Sequence, residues 1–310
     1  MARVSGAVLN GEKMKSSLMT FNVLNAWLPN SAVYKTMRKR SEGAASFILR
    51  ELPDILCLQE FDYYYRHDGV LMSAISDKYA EADTQDEIVG KSWNCIFYRK
   101  DKFSIVASGG YNFTANGFAI VPIKDDGEPV PEKACNCHPY RYPENSEEGS
   151  AEFSRTRFRS FGWAVLEDDQ GDRLLVTTTH LSLRKQCQGN EVEFVLGLLK
   201  ELQKKYGCAA LLCGDLNSAA TWGGAKMLID KGLFDTFDMA DEKDDIHSCH
   251  QTSGKGTGEP DSMPGGAYKT HAIDHIFTDR RIGVSTYKIY AEEELLAVSD
   301  HCPTMIKFEL

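Results

Sequence analysis

The chain lacks long hydrophobic runs. Its first apolar stretch is interrupted by Gly6, Asn10 and the charges that follow, whereas a signal peptide needs a continuous apolar segment of roughly 7–15 residues. No segment approaches the ~20 apolar residues that span a membrane. We therefore predict a cytoplasmic protein with no membrane partner.

Excess basic charge is also missing. The 310 residues include 35 Lys and Arg against 45 Asp and Glu, which gives a net charge of −10. Proteins that hold long DNA or RNA usually cluster Lys and Arg on one face, because phosphate contacts supply much of the binding energy. The acidity favours a small phosphate-containing substrate. Overall acidity is compatible with a local basic groove, so nucleic acid is kept as the alternative substrate. The oligomeric state is left unknown.

Paired metal-binding cysteines are lacking as well. The nine cysteines form an odd number, and none form a Cys-x-x-Cys pair of the kind that holds zinc. Several lie in apolar runs, namely Cys57, Cys95, Cys208 and Cys213, which is typical of buried thiols in a reducing compartment. The Cys/His groups at 135–138 and 247–250 are interpreted as ordinary polar loops, with zinc as the alternative.

What the chain does have is a regular alternation of apolar segments. Apolar runs predict strands at 18–24, 55–58, 93–98, 103–107, 160–166, 174–179, 209–213, 273–278, 285–290 and 303–308. Amphipathic spacing predicts helices at 41–52, 191–206 and 223–231. Strands outnumber helices, which favours a two-sheet α/β sandwich. We predict one domain over residues 1–310, with long loops near 122–156 and 247–268.

Short polar motifs accompany six of these apolar runs. They are Thr20-Phe21-Asn22, Gln59-Glu60, Thr179-His180-Leu181, Gly214-Asp215-Leu216-Asn217, Ile273-Asp274-His275 and Ser299-Asp300-His301. Together they supply oxygen ligands, histidines and amide donors. These are the groups needed to hydrolyse a phosphate ester with a divalent metal.

Two of these motifs offer carboxylates for a metal. Glu60 stands at the mouth of a buried strand, where a side chain is held rigidly and still meets water. That placement suits Mg²⁺, which takes one or two carboxylates and keeps several waters. An ordinary charged residue that ends a strand is the alternative. Asp300 is free to bind metal directly or through water.

Asp215 and Asn217 follow an apolar strand, two residues apart. Alternation along an extended backbone predicts that both side chains lie on the same side. There Asp215 can accept a proton from water, and Asn217 can donate an amide hydrogen to a phosphate oxygen. The alternative is an Asx turn that closes the strand.

The remaining motifs provide histidines. His180 ends an apolar run, and its protonated ring can hydrogen-bond a non-bridging phosphate oxygen. Asp274 and His301 each lie beside a short strand. An Asp that orients a His and stabilises its cation is a recurrent catalytic pair.

As a joint set, these motifs resemble the endonuclease/exonuclease/phosphatase superfamily, the deoxyribonuclease I-like metal hydrolases. The resemblance extends from Asn22 to His301. It implies a four-layer α/β sandwich, with two packed mixed β-sheets flanked by helices. It also implies Mg²⁺ or Mn²⁺ near Glu60, with Asn22 and Asp300 close. Whether one or two ions bind is left open.

The resemblance also implies roles around the substrate. Asp215 and the Asp274–His301 pair would act on the attacking water, while Asn217 and His180 would grip the phosphate. Either Asp215 or His301 can be the general base, and the sequence does not decide between them.

Two further residues are added by the resemblance as phosphate contacts. Arg159 precedes Trp163 by four positions, and an arginine can fork onto phosphate. Arg155 and Arg157 are rivals for this role. Asn94 lies in a segment that often reaches the site in the superfamily.

The motif at His180 narrows the function. Exonuclease III-type repair enzymes place Pro-Asn-Gly where this chain has Thr179-His180-Leu181, which argues against an abasic-site endonuclease. We predict a Mg²⁺-dependent phosphoesterase that hydrolyses a small phosphate ester by in-line attack of water. The alternatives are a nuclease acting on DNA or RNA and a catalytically silent binding scaffold. The choice between a monoester and a diester is left open.

Overall fold

A computed structural model describes residues 13–25, 37–61, 65–66, 69–84, 93–113, 159–183, 185–250 and 266–310. The predicted loop at 122–156, and with it Arg155, lies outside the described residues, as do Arg157 and most of the predicted loop at 247–268. Within the described ranges, no helix has the length and apolar character of a membrane span.

One mixed sheet contains seven strands. In spatial order they are β10 (Ala240–Lys243), β12 (Gly283–Ile289), β13 (Thr304–Glu309), β1 (Lys15–Asn22), β2 (Ile55–Gln59), β4 (Cys95–Arg99) and β3 (Tyr79–Glu81). The central strands β1 and β2 are parallel, and their neighbours β13 and β4 run antiparallel to them. The carboxyl ends of β1 and β2 therefore lie together at one edge.

The second mixed sheet contains six strands. In spatial order they are β5 (Ser104–Asn112), β6 (Ser160–Glu167), β7 (Arg173–His180), β8 (Ala209–Asp215), β11 (Asp274–Thr278) and β9 (Phe234–Asp235). Strands β6 and β7, which match the predicted strands at 160–166 and 174–179, form an antiparallel hairpin. Strands β7 and β8 are parallel, and β11 runs antiparallel to β8. The ends of β7 and β8 thus meet the start of β11.

Seven helices lie among the described residues. They are α1 (Met37–Glu51), α2 (Val70–Ile75), α3 (Lys185–Tyr206), α4 (Gly223–Asp230), α5 (Thr236–Met239), α6 (Tyr268–His271) and α7 (Glu293–Leu296). The three predicted helices are confirmed as α1, α3 and α4. Helix α3 begins earlier than expected, at Lys185 rather than near 191. The polar residues Gln188 and Glu191 are buried in its first turns. Apolar spacing therefore does not reveal this part of the helix in the sequence.

Apolar side chains divide into three layers of core. Alternate residues of β1 face opposite sides: Leu18 packs between the two sheets, and Met19 packs against α1. On the other sheet, Leu211 joins the central layer, while Leu212 packs against α3. Helices thus cover the outer face of each sheet. The predicted four-layer α/β sandwich is confirmed.

Candidate active site

Three of the predicted catalytic residues lie side by side in one sheet. Asp215 is the last residue of β8, and its register partners are His180 on β7 and Asp274 on β11. His180 Nε2 lies 3.0 Å from Asp215 Oδ2. All three side chains are buried. Strand pairing alone therefore gathers residues that are far apart in the sequence.

The approach of β7 to β8 depends on Gly214, the residue before Asp215. Its φ is 137°, and a Cβ built there would lie 1.9 Å from the carbonyl oxygen of Thr179. Residues with a side chain rarely adopt this backbone conformation, and the backbone of Thr179 occupies the space that a Cβ would need. Glycine at this position allows Asp215 to reach His180.

Asp274 and His301 form the predicted pair. His301 Nδ1 lies 2.8 Å from Asp274 Oδ2, and its Nε2 lies 3.6 Å from Asp215 Oδ2. Burial lowers the pKa of His301, but the carboxylates of Asp274 and Asp215 outweigh it and hold that pKa well above its usual value. Burial raises the pKa of Asp274. The pair holds a proton at Nδ1 and directs Nε2 toward Asp215.

Asn22 connects the two sheets at this edge. Its Nδ2 lies 3.1 Å from Glu60 Oε1 and 3.0 Å from Asp215 Oδ2. Its Oδ1 accepts a hydrogen bond from the backbone N–H of Leu24 at 3.0 Å. The amide nitrogen, rather than the oxygen, therefore faces the carboxylates.

A second polar contact between the sheets is made by Gln59, the residue before Glu60. Gln59 accepts a hydrogen bond from Thr20 at 3.2 Å and donates one to Thr178 on β7 at 2.9 Å. All three side chains are fully buried. This chain of hydrogen bonds fixes the separation of the sheets directly beneath the site.

Glu60 is held by Asn25, a residue that the sequence analysis missed. The backbone N–H of Asn25 donates to Glu60 Oε2 at 3.0 Å, and its side-chain Nδ2 donates to the same oxygen. Burial raises the pKa of Glu60, but His180, Asn25 and Asn22 together lower it below its usual value. The only signal in the sequence was a second asparagine three positions after Asn22.

Asp300 brings a second carboxylate near Glu60. Burial and the charges of Glu60 and Asp215 raise the pKa of Asp300 to about 6, against the opposing effect of His301. About a third of the side chain is exposed, at 35%. Two neighbouring carboxylates that repel each other and are not fully buried fit a hard divalent cation.

A different group could also hold a metal. Asp215, Asp274 and His301 each place one ligand atom within 4.8 Å of the others, and this is the sole such group of His, Cys, Asp and Glu among the described residues. The group does not include the residues expected as metal ligands. His301 Nδ1 is already bonded to Asp274, so a proton would compete with a cation there.

The structure corrects the geometry expected at Asn217. Strand β8 ends at Asp215, and Asn217 has a φ of 48°, so strand alternation does not place its side chain. The backbone N–H of Asn217 instead donates to Asp215 Oδ1 at 2.9 Å, which is the Asx turn considered as the alternative. Its side-chain Nδ2 donates to the carbonyl of Leu181 at 2.9 Å.

Helix α3 supports the loops that follow β7 and β8. Gln188 Nε2 donates to the carbonyl oxygens of Ser182 at 2.6 Å and Leu216 at 3.2 Å. Glu191 accepts the backbone N–H of Ser182 at 2.8 Å. Neither residue was identified from the sequence, because buried polar side chains on a helix carry no distinctive pattern.

The two expected phosphate contacts occupy different environments. Arg159 is half-buried just before β6, and its charge helps to lower the pKa of Asp215, after the larger effects of burial and the histidines. Asn94 is fully buried. Its Nδ2 donates to the carbonyl and hydroxyl of Ser160, at 2.9 and 2.7 Å. Asn94 thus fixes the residue that follows Arg159.

A model of the endonuclease/exonuclease/phosphatase family matches residues 19–301. The chain belongs to the endonuclease/exonuclease/phosphatase family. It is therefore a hydrolase that acts on phosphate ester bonds. The matched range includes every predicted site residue from Asn22 to His301.

Solved structures of this family share the fold. A family member from Bacteroides thetaiotaomicron has a TM-score of 0.69 and 18% identity, with 96% of this chain and 99% of that chain covered. A mannosyl-6-phosphatase from the same species has a TM-score of 0.68 and 20% identity, with 94% and 99% covered. The human Nocturnin catalytic domain has a TM-score of 0.60 and 18% identity, with 96% and 95% covered. No curated protein matches this chain by sequence.

Proposed function

We propose that this chain hydrolyses a small phosphate ester by in-line attack of water, with Mg²⁺ or Mn²⁺ as cofactor. Two buried nitrogen atoms near Asp215 carry the proposal. Arg159 Nη1 and His180 Nδ1 are shielded from solvent and have no hydrogen-bond partner within the part of the chain that the structure describes. Buried polar atoms are normally satisfied, and the oxygens of a phosphate would accept a hydrogen from Arg159 Nη1 and, when the His180 ring is protonated, from His180 Nδ1.

The proposed metal ligands are Glu60 and Asp300, with Asn22 orienting Glu60. When bound, the cation would neutralise charge on the non-bridging and leaving oxygens of the phosphate. Asn22 and Asn25 hold the Glu60 carboxylate in a fixed orientation. The same contacts favour its ionised form, which is the form that binds cations.

Asp215 and the Asp274–His301 pair would handle the attacking water. Burial raises the pKa of Asp215, but His180 and His301 together hold it below its usual value. Asp215 is thus ionised and can accept a hydrogen from water. His301, oriented by Asp274, would stabilise the charge that develops, while Asn217 would keep the Asp215 loop in place.

The substrate preference rests on charge. The net charge of −10 disfavours a long polyanion, which needs an extended basic surface. A fold shared with a mannosyl-6-phosphatase at 20% identity is compatible with a compact substrate. The alternative is a nuclease with the same chemistry and a polymer substrate.

A substrate panel tests the proposal. It contains sugar phosphates, inositol phosphates, nucleotides, plasmid DNA and RNA, each assayed with Mg²⁺ and Mn²⁺ at two salt concentrations. Asp215→Asn serves as the inactive control. We expect metal-dependent turnover of at least one small ester that this variant loses. Strongly salt-sensitive cleavage of polymer, without turnover of small esters, would replace the proposal with the nuclease.

A further inference from the structure

Ser248 is fully buried, and its hydroxyl contacts the Asp274 carboxylate. Ser248 Oγ lies 2.7 Å from Asp274 Oδ2 and accepts the backbone N–H groups of Ile273 and Asp274, each at 3.0 Å. A hydroxyl has one hydrogen and two acceptor sites. Because the two N–H groups fill the acceptor sites, the hydroxyl hydrogen must point at Asp274 Oδ2.

Asp274 Oδ2 therefore accepts two hydrogens. One comes from Ser248 and the other from His301 Nδ1, at 2.8 Å. The second oxygen, Oδ1, is buried and has no hydrogen-bond partner among the residues described. The contacts that orient this carboxylate in the structure thus converge on Oδ2, where Ser248 and His301 meet.

The backbone around Ser248 is also joined to the His301 segment. Cys249 pairs with His301 in an isolated antiparallel bridge. The backbone N–H of Cys302 donates to the Ser248 carbonyl at 2.7 Å, and that of His250 donates to the Asp300 carbonyl at 2.8 Å. Residues 248–250 and 300–302 therefore hold each other in register, with the Ser248 hydroxyl directed at the catalytic pair.

We propose that Ser248 is a positioning residue for the Asp274–His301 pair. Its hydroxyl fixes the Asp274 carboxylate, which in turn holds the proton on His301 Nδ1 and leaves Nε2 directed toward Asp215 and Asn22. The inference rests on the proposed function, in which His301 takes part in the chemical step. It adds that the alignment of His301 depends on a hydrogen bond from a residue that does not touch the substrate.

Kinetics of Ser248→Ala test the role. Because the variant loses a hydrogen bond to a charged group, we expect kcat to fall by about 10- to 100-fold. KM should change by less than about twofold, because the substrate contacts remain. Ser248→Thr keeps the hydroxyl and should retain kcat within about threefold. The matched control is Ser16→Ala, which removes another buried serine hydroxyl from a carboxylate, that of Asp54, at 3.2 Å. This control should leave kcat unchanged.

A spectroscopic readout separates the two proposals. In protein with ¹⁵N-labelled histidine, the His301 Nδ1–H proton should give a downfield signal that His301→Ala removes. We expect Ser248→Ala to shift or broaden it and Ser16→Ala to leave it in place. An unchanged signal together with unchanged kcat in Ser248→Ala would overturn the role of Ser248. Wild-type kcat in His301→Ala would instead overturn the part of the proposed function that assigns His301 to the chemical step, and the signal would still test the contact between Ser248 and the pair.

A second pair of variants covers a folding failure of Ser248→Ala. Ser248→Cys and Ser248→Thr both fill the buried space, but a thiol is a weak donor. We expect kcat of the Cys variant to be at least about tenfold below that of the Thr variant. Equal kcat values in the two variants would show that packing, rather than the hydroxyl, matters at this position.

Discussion

The side-chain amide of Asn22 lies 3.0 Å from the Asp215 carboxylate, across the interface between the two sheets. The same nitrogen lies 3.1 Å from Glu60. One side chain therefore touches both the carboxylate proposed to bind metal and the one proposed to orient water. Metal binding and chemistry should consequently be linked through Asn22.

Replacement of Asn22 tests this link. We expect Asn22→Ala to weaken divalent-metal binding and to lower kcat, each by about tenfold or more, because it removes a hydrogen bond to each of two charged groups. Asn25→Ala removes the side-chain contact to Glu60 but keeps the backbone contact, so it should weaken metal binding with a smaller effect on kcat at saturating metal. Calorimetry and steady-state kinetics measure the two effects. Identical profiles for the two variants would contradict the linking role of Asn22.

Glu60 itself should dominate metal affinity. We expect Glu60→Ala to weaken Mg²⁺ or Mn²⁺ binding by about tenfold or more, which corresponds to roughly 1.4 kcal/mol. Titration calorimetry measures the affinity, and Glu309→Ala, a carboxylate at the far end of the sheet, is the control. Unchanged binding in the Glu60 variant would remove Glu60 from the metal site.

Asp215 and His301 should affect the chemical step. Positioned acid–base groups contribute roughly 10²–10⁴ in rate, so Asp215→Asn and His301→Ala should lower kcat by that order while the fold persists. Circular dichroism confirms folding, and kcat is measured on the ester found in the panel. Near wild-type kcat in either variant means that the assignment of that residue is wrong.

The pKa of Asp300 predicts how pH and metal act on stability. Burial, together with the nearby Glu60 and Asp215 carboxylates, raises this pKa to about 6. The metal-free folded state therefore holds a proton that the unfolded chain releases, and this stabilising contribution is lost as pH rises from 3.8 toward about 6. A divalent cation would then take the place of the proton.

Melting temperatures measure this effect. We expect Mg²⁺ to raise Tm more at about pH 7.5 than at about pH 5, because at the lower pH a proton competes for Asp300. The Asp300→Asn variant should lose most of the difference between the two pH values. A Mg²⁺ effect that is independent of pH would count against Asp300 as a ligand.

Gly214 should tolerate no side chain. Its φ of 137° and the close carbonyl of Thr179 predict that Gly214→Ala lowers the free energy of unfolding by at least about 2 kcal/mol. Gly197 lies in helix α3 and has open space where a Cβ would stand, so Gly197→Ala should instead stabilise by about 0.5–1 kcal/mol. Urea denaturation compares the two. Similar effects would show that the backbone at Gly214 relaxes without cost.

The central strands of the two sheets were predictable from apolar runs because they are buried on both faces. Ile55–Gln59 and Ala209–Asp215, for example, contain buried residues only. Short elements such as β3, β9 and α5 were not, since two to four residues carry too little periodicity. Their positions depend on contacts with the rest of the fold, as when Asp235 caps α5.

The site likewise contains residues that the sequence predicts and residues that only the structure shows. Motifs at strand ends predicted Asp215, Asp274 and His301 as site residues, because a polar residue beside an apolar run marks the edge of a sheet, and the structure places the three side chains together. Asn25 and Ser248 were not predicted from the sequence, because each contacts the site through a hydrogen bond to a carboxylate that is distant in sequence. The resemblance added Arg159 and Asn94 as expected phosphate contacts, but only the structure shows that the side chain of Asn94 donates to Ser160.

Neither sheet alone carries all of the proposed site residues. Glu60 follows a strand of one sheet and Asp215 ends a strand of the other, and their separation is set by apolar side chains such as Leu18 and Leu211 that pack between them. A bulkier side chain in that layer would force the two halves of the centre apart without touching a polar group. We therefore expect turnover to depend on how closely these apolar side chains pack between the two sheets.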